Sequence, residues 1–181
     1  NDAPVADDST ITVNEESTDT ALGLTAPTDI DTASLTITVT GLPTVGTVTL
    51  ADGTVVTNGM TLTSAQLTGL LFDAPADLAA TTNTSFTYTV SDGIAPAVTG
   101  TTAITVNPIN DAPVADDSVI TVNEESTDTA LGLTAPTDVD TASLTITVTG
   151  LPSVGTVTLA DGTVVTNGMT LTSAQLTGLL F

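Results

Sequence analysis

Short runs in which aliphatic or aromatic residues alternate with threonine dominate the first hundred positions. Leu35, Ile37 and Val39 alternate with Thr36, Thr38 and Thr40, and Phe86, Tyr88 and Val90 alternate with Thr87 and Thr89. Val48 and Leu50 alternate with Thr47 and Thr49, and Ile11/Val13 and Ile104/Val106 keep the same period of two. Such alternation places one face of a strand in a core and the other in water. Asp52-Gly53 and Asp92-Gly93 supply turns between these runs. The pattern predicts seven strands: A over 9–16, B over 20–25, C over 34–40, D over 46–50, E over 54–62, F over 84–91 and G over 98–106. One stretch departs from the rule. Thr63-Ser64-Ala65-Gln66 has capping-box spacing ahead of Leu67, Leu70 and Leu71, so one or two helical turns are expected there. The predicted fold is all-β, an antiparallel β-sandwich with one short helix.

The pattern is then repeated. Residues 1–72 recur as 110–181 with 69 positions identical, the exceptions being Thr10/Val119, Ile30/Val139 and Thr44/Ser153. A period of 109 residues is too long for a solenoid and suits a tandem array of independent domains. The expected organisation is one complete repeat over 1–109 and a second, near-identical one over 110–181 that stops before strands F and G. These residues should be completed by material outside them: either the sequence is a window on a longer polymer of neighbouring identical repeats, or strands from another copy supply what is missing. The opening Asn1-Asp2-Ala3-Pro4, without an initiator Met, also reads as a piece of something longer.

Composition sharpens the functional question. The chain carries 21 Asp plus Glu, no Lys, no Arg and no His, for a formal charge of −21. A chain without a basic side chain cannot clamp phosphates, which excludes nucleic acid and anionic membrane surfaces as partners. No apolar run approaches the roughly 18 residues of a membrane span. The absence of Cys and His removes thiolate chemistry, nucleophile–imidazole pairs and zinc sites of the usual kind. Hydrophobic residues still make up 40% of the chain, enough for a core. With no side-chain cation to offset the acids, a metal cation is the leading candidate for the missing positive charge.

The acids gather at loop ends. With strands running alternately up and down, Glu15, Glu16, Asp73 and Asp77 fall at the lower end of the first repeat. Asp29, Asp31 and Asp92 fall at its upper end, with Asp2 at the position that Asp111 occupies one repeat later. The connecting segment Asn107-Pro108-Ile109-Asn110-Asp111-Ala112-Pro113 is followed by Asp138 and Asp140. Repeats stacked end to end would bring lower-end acids to upper-end acids across this segment. Hard oxygen donors from several loops suit Ca²⁺, which takes roughly six to eight oxygens. Asp, Asn and Pro also form turns in their own right. That reading suffices for Asp52 and Asp161 in their Asp-Gly turns, and a solvated charge suffices for Asp19 and Asp128.

The connecting segment resembles the Asp-x-Asn-Asp-Asn-x-Pro linker of cadherin repeats, with Asn107 in place of the first Asp and Ala112 in place of the last Asn. Asp138-x-Asp140 falls where the cadherin Asp-x-Asp lies in the following domain. Glu15/Glu16 match the early glutamate, Asp73/Asp77 the acidic pair before strand F, and Asp92 the top-loop aspartate. The wider string, Phe86-Thr-Tyr-Thr-Val-Ser-Asp-Gly and then Ile104-Thr-Val-Asn-Pro-Ile-Asn-Asp-Ala-Pro-Val, is similar to the Ig-like, cadherin-like extender repeats of giant RTX and biofilm-associated bacterial adhesins. The resemblance implies an extracellular, cell-surface stalk whose joints are rigidified by Ca²⁺ held by Glu15, Glu16, Asp73, Asp77, Asn107, Asn110, Asp111, Asp138 and Asp140. Asn107 in place of a carboxylate should weaken one such site.

A mechanical spacer is therefore the leading expectation, because near-identical units serve repetition better than recognition. Direct adhesion is the alternative, by homophilic, glycan or ice contact through Thr rows such as Thr36, Thr38 and Thr40. A two-carboxylate glycosidase would need substrate-positioning aromatic or basic residues, which do not accompany the acids. No enzymatic activity is expected.

Overall fold

Phe86, Tyr88 and Val90 face inward from one long strand and Ile104 and Val106 from the next, and these two strands organise the first half of the molecule. The computed structural model describes all residues from 1 to 181, which separate into two units, Asn1–Ile109 and Asn110–Phe181.

In unit 1 the elements run β1 (Ser9–Asn14), β2 (Thr20–Ala21), β3 (Thr36–Gly41), β4 (Thr47–Thr49), β5 (Thr61–Leu62), α1 (Ser64–Thr68), β6 (Leu71–Asp73), β7 (Thr82–Ser91) and β8 (Val98–Asn107). One sheet has the order β1-β8-β7-β3-β5 and the other β2-β6-β4, so the unit is an all-β sandwich of two sheets. Between the sheets lie Ile37, Val39, Phe86, Tyr88, Val90, Ile104 and Val106 on one side and Leu22, Val48 and Phe72 on the other. Burying each such side chain favours the fold by about 1.5–3 kcal/mol. The outer face of the larger sheet carries threonines in register, Thr38 beside Thr89 and Thr89 beside Thr99. Cross-strand Thr pairs are themselves a source of sheet stability.

Two packing details depend on glycine. A Cβ at Gly100 would lie 2.4 Å from the Tyr88 ring and 2.6 Å from the Asp7 carbonyl oxygen. Its absence lets the buried Tyr88 hydroxyl donate to that carbonyl at 2.9 Å. Gly46, at φ 76°, similarly lies against the Phe72 ring.

The structure redraws two expected strands and the end of the expected helix. The 54–62 run is not one strand E. Val56 donates to the Val48 carbonyl beside β4, whereas β5 pairs with β3 in the opposite sheet. Between them Gly59, at φ 83°, donates to the Val39 carbonyl and carries the chain from one sheet to the other. The expected helix is present, with Thr63 Oγ1 accepting from the Gln66 amide and Gln66 Oε1 from the Thr63 amide, but it ends at Gly69. Leu71 and Asp73 therefore belong to β6, the central strand of the smaller sheet, rather than to a helix and a loop. Strand B is confined to Thr20–Ala21, followed by Gly23 at φ 72°. Within the sandwich one pairing is parallel, β1 against β8, from Ser9↔Thr102 to Asn14↔Asn107.

Unit 2 keeps only part of this. Its regular elements are β9 (Ile146–Thr147), β10 (Thr170–Leu171) and α2 (Ser173–Thr177). Residues 118–123, which copy β1 except at Val119, form no strand. An inner cluster of Val157, Leu159, Val165, Leu171 and Leu179 remains buried.

Candidate metal centres at the two ends of the sandwich

The parallel β1–β8 pair brings the ends of both strands to one end of unit 1. There the Glu15 amide donates to the Asn107 carbonyl at 2.8 Å. Glu15 is buried, and its carboxylate accepts from the Ile109 amide at 2.6 Å on Oε1 and from the Leu78 amide on Oε2. It thus ties the end of β1 to the loop before β7 and to the end of the unit. The Glu16 amide donates to the Pro75 carbonyl, Ala74 donates to the Ser17 carbonyl, and Asp73 Oδ1 accepts from the Asp19 amide at 2.7 Å. Asn107 Oδ1 accepts from the Thr81 hydroxyl. Glu15, Glu16, Asp73, Asp77 and Asn107 therefore share one end. Glu16 and Asp77 are exposed and sit at φ 61° and 60°, where a side chain other than that of Gly, Asn or Asp is disfavoured.

The opposite end is built from turns closed by aspartate side chains. Asp29 Oδ1 accepts from the Asp31 and Thr32 amides at 2.8 and 2.6 Å, and Asp31 Oδ2 accepts from the Asp2 amide at 2.6 Å. Asp92 Oδ1 accepts from the Ile94 and Ala95 amides, both at 2.9 Å, and Oδ2 from the Asn1 side-chain amide. The Ile94 amide, then Asn1 and Ala95, hold the Asp92 carboxyl below the usual carboxylate range. Asp29 Oδ2 is buried and has no hydrogen-bond donor. Asp2, Asp29, Asp31 and Asp92 thus share this end.

Unit 2 repeats the second arrangement closely. Asp138 Oδ1 accepts from Asp140 and Thr141 at 2.9 and 2.6 Å, and Asp140 Oδ2 accepts from the Asp111 amide at 2.7 Å. Asn110 Nδ2 donates to the Asp111 carbonyl as Asn1 does to that of Asp2. The counterpart of Glu15, Glu124, is exposed instead of buried. No three carboxylates converge into a ready metal shell in the structure. The donor chemistry nonetheless fits a hard cation: oxygen only, no competing side-chain cation, and one buried carboxylate oxygen without a donor.

Residues 1–107 match the family described as the bacterial Ig domain. The chain belongs to this family. The bacterial Ig domain also has a structural likeness to mouse cadherin-23 EC22–24, at 17% identity and a TM-score of 0.39, over 90% of this chain and 50% of that one. The chain thus spans about half the length of that cadherin fragment. No curated protein matches it. No helix is long and apolar enough to cross a membrane.

Three residues of the bacterial Ig domain, all acidic, make links that the sequence did not reveal. Asp7 Oδ2 accepts from the Thr25 hydroxyl and amide, both at 2.8 Å, which lowers its pKa. Asp8 Oδ1 accepts from the Thr101 amide at 2.7 Å, fastening the approach to β1 onto β8. The Asp19 side chain is exposed, as expected of a solvated charge, and it is its backbone amide that donates to Asp73. No sequence spacing distinguishes these acids from the others, because their partners lie 18, 93 and 54 residues away. Asp52 and Asp161 close their Asp-Gly turns by accepting from the Thr54 and Thr163 amides, each at 2.9 Å, which lowers both pKa values.

Proposed function

We propose that the chain is an extracellular spacer, a piece of the stalk of a large bacterial surface adhesin of the RTX or biofilm-associated kind, and that it has no catalytic role. In this reading Ca²⁺ is held by the acids at the ends of the repeats, with Asn107, Asn110 and carbonyl oxygens of the connecting segment completing the shell. The bound ion supplies positive charge that no side chain of this protein can supply. What carries the reading is the sorting of acids to opposite ends of a repeated Ig domain that contains no Lys, Arg or His. Glu15, Glu16, Asp73 and Asp77 lie at one end, and Asp2, Asp29, Asp31 and Asp92 at the other, an arrangement that repetition would place at every joint.

Family membership supports the coarser part, since bacterial Ig domains are typically borne outside the cell. The near-identity of the two units favours a spacer over a recognition module, whose surface would be special to one unit.

The experiment is thermal melting and small-angle scattering of the whole chain in Ca²⁺ and in EDTA. Chelation should lower the melting temperature and broaden the distribution of end-to-end distances. Identical melting and scattering in both buffers would overturn the Ca²⁺ reading.

A further inference from the structure

Asparagine is followed by glycine at Asn58-Gly59, and the pair recurs at Asn167-Gly168. With no side chain on the second residue, its amide nitrogen is poorly shielded from the asparagine carbonyl carbon before it. In unit 1 the pair forms the corner of the turn Thr57–Met60, which the Met60 amide closes by donating to the Thr57 carbonyl at 3.1 Å. Asn58 and Gly59 are both exposed, and a Cβ on Gly59 would meet no atom within 4 Å. Water therefore reaches the turn from outside. The nucleophile is restrained all the same, because the Gly59 amide donates to the Val39 carbonyl at 2.8 Å.

We propose that Asn58 is a site of spontaneous deamidation whose rate is set by opening of the Gly59–Val39 hydrogen bond. In the opened turn the Gly59 nitrogen gives up its proton to solvent and attacks Asn58 Cγ. The new N–Cγ bond closes a succinimide ring as the bond from Cγ to the side-chain nitrogen breaks, and that nitrogen leaves as ammonia with protons from water. Water then adds to one of the two ring carbonyls and cleaves its bond to the Gly59 nitrogen. Cleavage at Cγ leaves aspartate, and cleavage at the main-chain carbonyl leaves isoaspartate. No oxidant or reductant takes part. While the Gly59 proton is held by Val39, attack must wait for a sheet hydrogen bond to open.

Asp52-Gly53, Asp92-Gly93 and Asp161-Gly162 would close the same ring less readily. Hydrogen bonds from the Thr54, Ile94 and Thr163 amides hold those carboxyls below the usual carboxylate range, and an ionised carboxylate offers no leaving group. The position of Asn58 also gives its two products different consequences. Before it, Val56 donates to the Val48 carbonyl at 2.9 Å, and after it, Val39 donates to the Met60 carbonyl at 2.9 Å. These bonds fix both sides of the crossover between the sheets. Aspartate keeps the backbone and adds a charge to an exposed turn. Isoaspartate lengthens the main chain by one methylene between the two anchors and displaces the Gly59–Val39 bond.

Residues 52–72 and 161–181 are identical, so the test uses the whole chain carrying Asn167→Gln, which silences the second pair. The chain is aged in mildly alkaline buffer and digested with a protease that cuts before aspartate. Aspartate at 58 creates a new cut, whereas isoaspartate leaves 52–72 whole but heavier by the amide-to-acid conversion. Asn58 of the folded chain should convert about tenfold or more slowly than Asn58 of the synthetic peptide 52–72. Its rate should rise with the exchange rate of the Gly59 amide as urea is added, and meet the peptide's rate on unfolding. The isoaspartate product should exchange its Gly59 amide faster than a chain carrying Asn58→Asp. A folded chain that never converts on prolonged ageing, equal rates in folded chain and peptide, or a rate indifferent to Gly59 exchange would overturn the proposal.

Discussion

The two units share 69 of 72 aligned residues and differ in how much of that sequence becomes sheet. In unit 1, Ser9–Asn14 is a six-residue strand, whereas its copy in unit 2 has no strand at all. Thr36–Gly41 is likewise six residues long, and its counterpart shrinks to Ile146–Thr147. Features that need only local partners survive intact. The capping boxes of α1 and α2 match, with Thr63–Gln66 and Thr172–Gln175 hydrogen bonds of 2.9 and 3.2 Å in both. The aspartate-closed turns match to within a tenth of an ångström. A strand is a property of a pair, and β-propensity is realised only where a partner exists.

The sharpest way to break the contrast is to make unit 1 resemble unit 2. Phe86→Ala removes a fully buried ring from β7 and should destabilise unit 1 by about 3–5 kcal/mol. In denaturation followed by hydrogen exchange, the protection of β1 and β3 should fall towards that of their copies, while α2 and the Asp161 turn are unchanged. Paired glycine replacements probe the same difference more gently. Gly46→Ala forces a Cβ to 2.5 Å from the buried Phe72 ring, and Gly155→Ala to 2.3 Å from that of Phe181. The first should cost about 1–3 kcal/mol in overpacking, beyond the left-handed strain common to both. The second should cost less, because half-exposed Phe181 can swing away. Equal losses in the melting of the two units would show Phe181 to be as confined as Phe72.

Glu15→Gln leaves one acceptor facing two amides and turns an NH₂ towards the other, so unit 1 should lose about 1–3 kcal/mol. Glu124→Gln, on an exposed side chain, should stay within about 0.5 kcal/mol of the parent. The smallest expected contrast is in acid. The hydrogen bonds to Asp92 favour its ionised form, so its folded pKa lies below its unfolded one. The stability it adds is present above about pH 4 and is lost as pH falls through the folded value. Asp52 and Asp161 do the same in both units. Unit 1 should therefore show the slightly steeper acid loss, and Asp92→Asn should reduce that excess in a pH titration of exchange protection.

Much of this was legible from alternation alone. Strands C, F and G sit within two residues of their expected bounds, because their apolar positions face one core at strict period two. Sorting the acids by up-and-down connectivity also placed Glu15 and Glu16 with Asp73 and Asp77, and Asp92 with Asp29 and Asp31. The 54–62 run misled because Val55, Val56, Met60 and Leu62 read as the apolar positions of one strand, while its partners change from β4 to β3 at Gly59. Leu71–Asp73 misled because Leu67, Leu70 and Leu71 keep helical spacing across the helix stop that Gly69 marks. The buried role of Glu15 was hidden for another reason: a carboxylate that caps two backbone amides looks, in sequence, like one that faces water.

The parallel pairing of β1 with β8 has a mechanical consequence. The chain enters β1 at one end of the sandwich and leaves β8 at the other. Tension between Asn1 and Ile109 therefore runs along the strands and across the direction of their hydrogen bonds. The six in-register pairs from Ser9↔Thr102 to Asn14↔Asn107 share such a load and must slide together, whereas a hairpin pulled at its two ends opens one bond at a time. A repeat closed in this way resists extension through the geometry of its first and last strands.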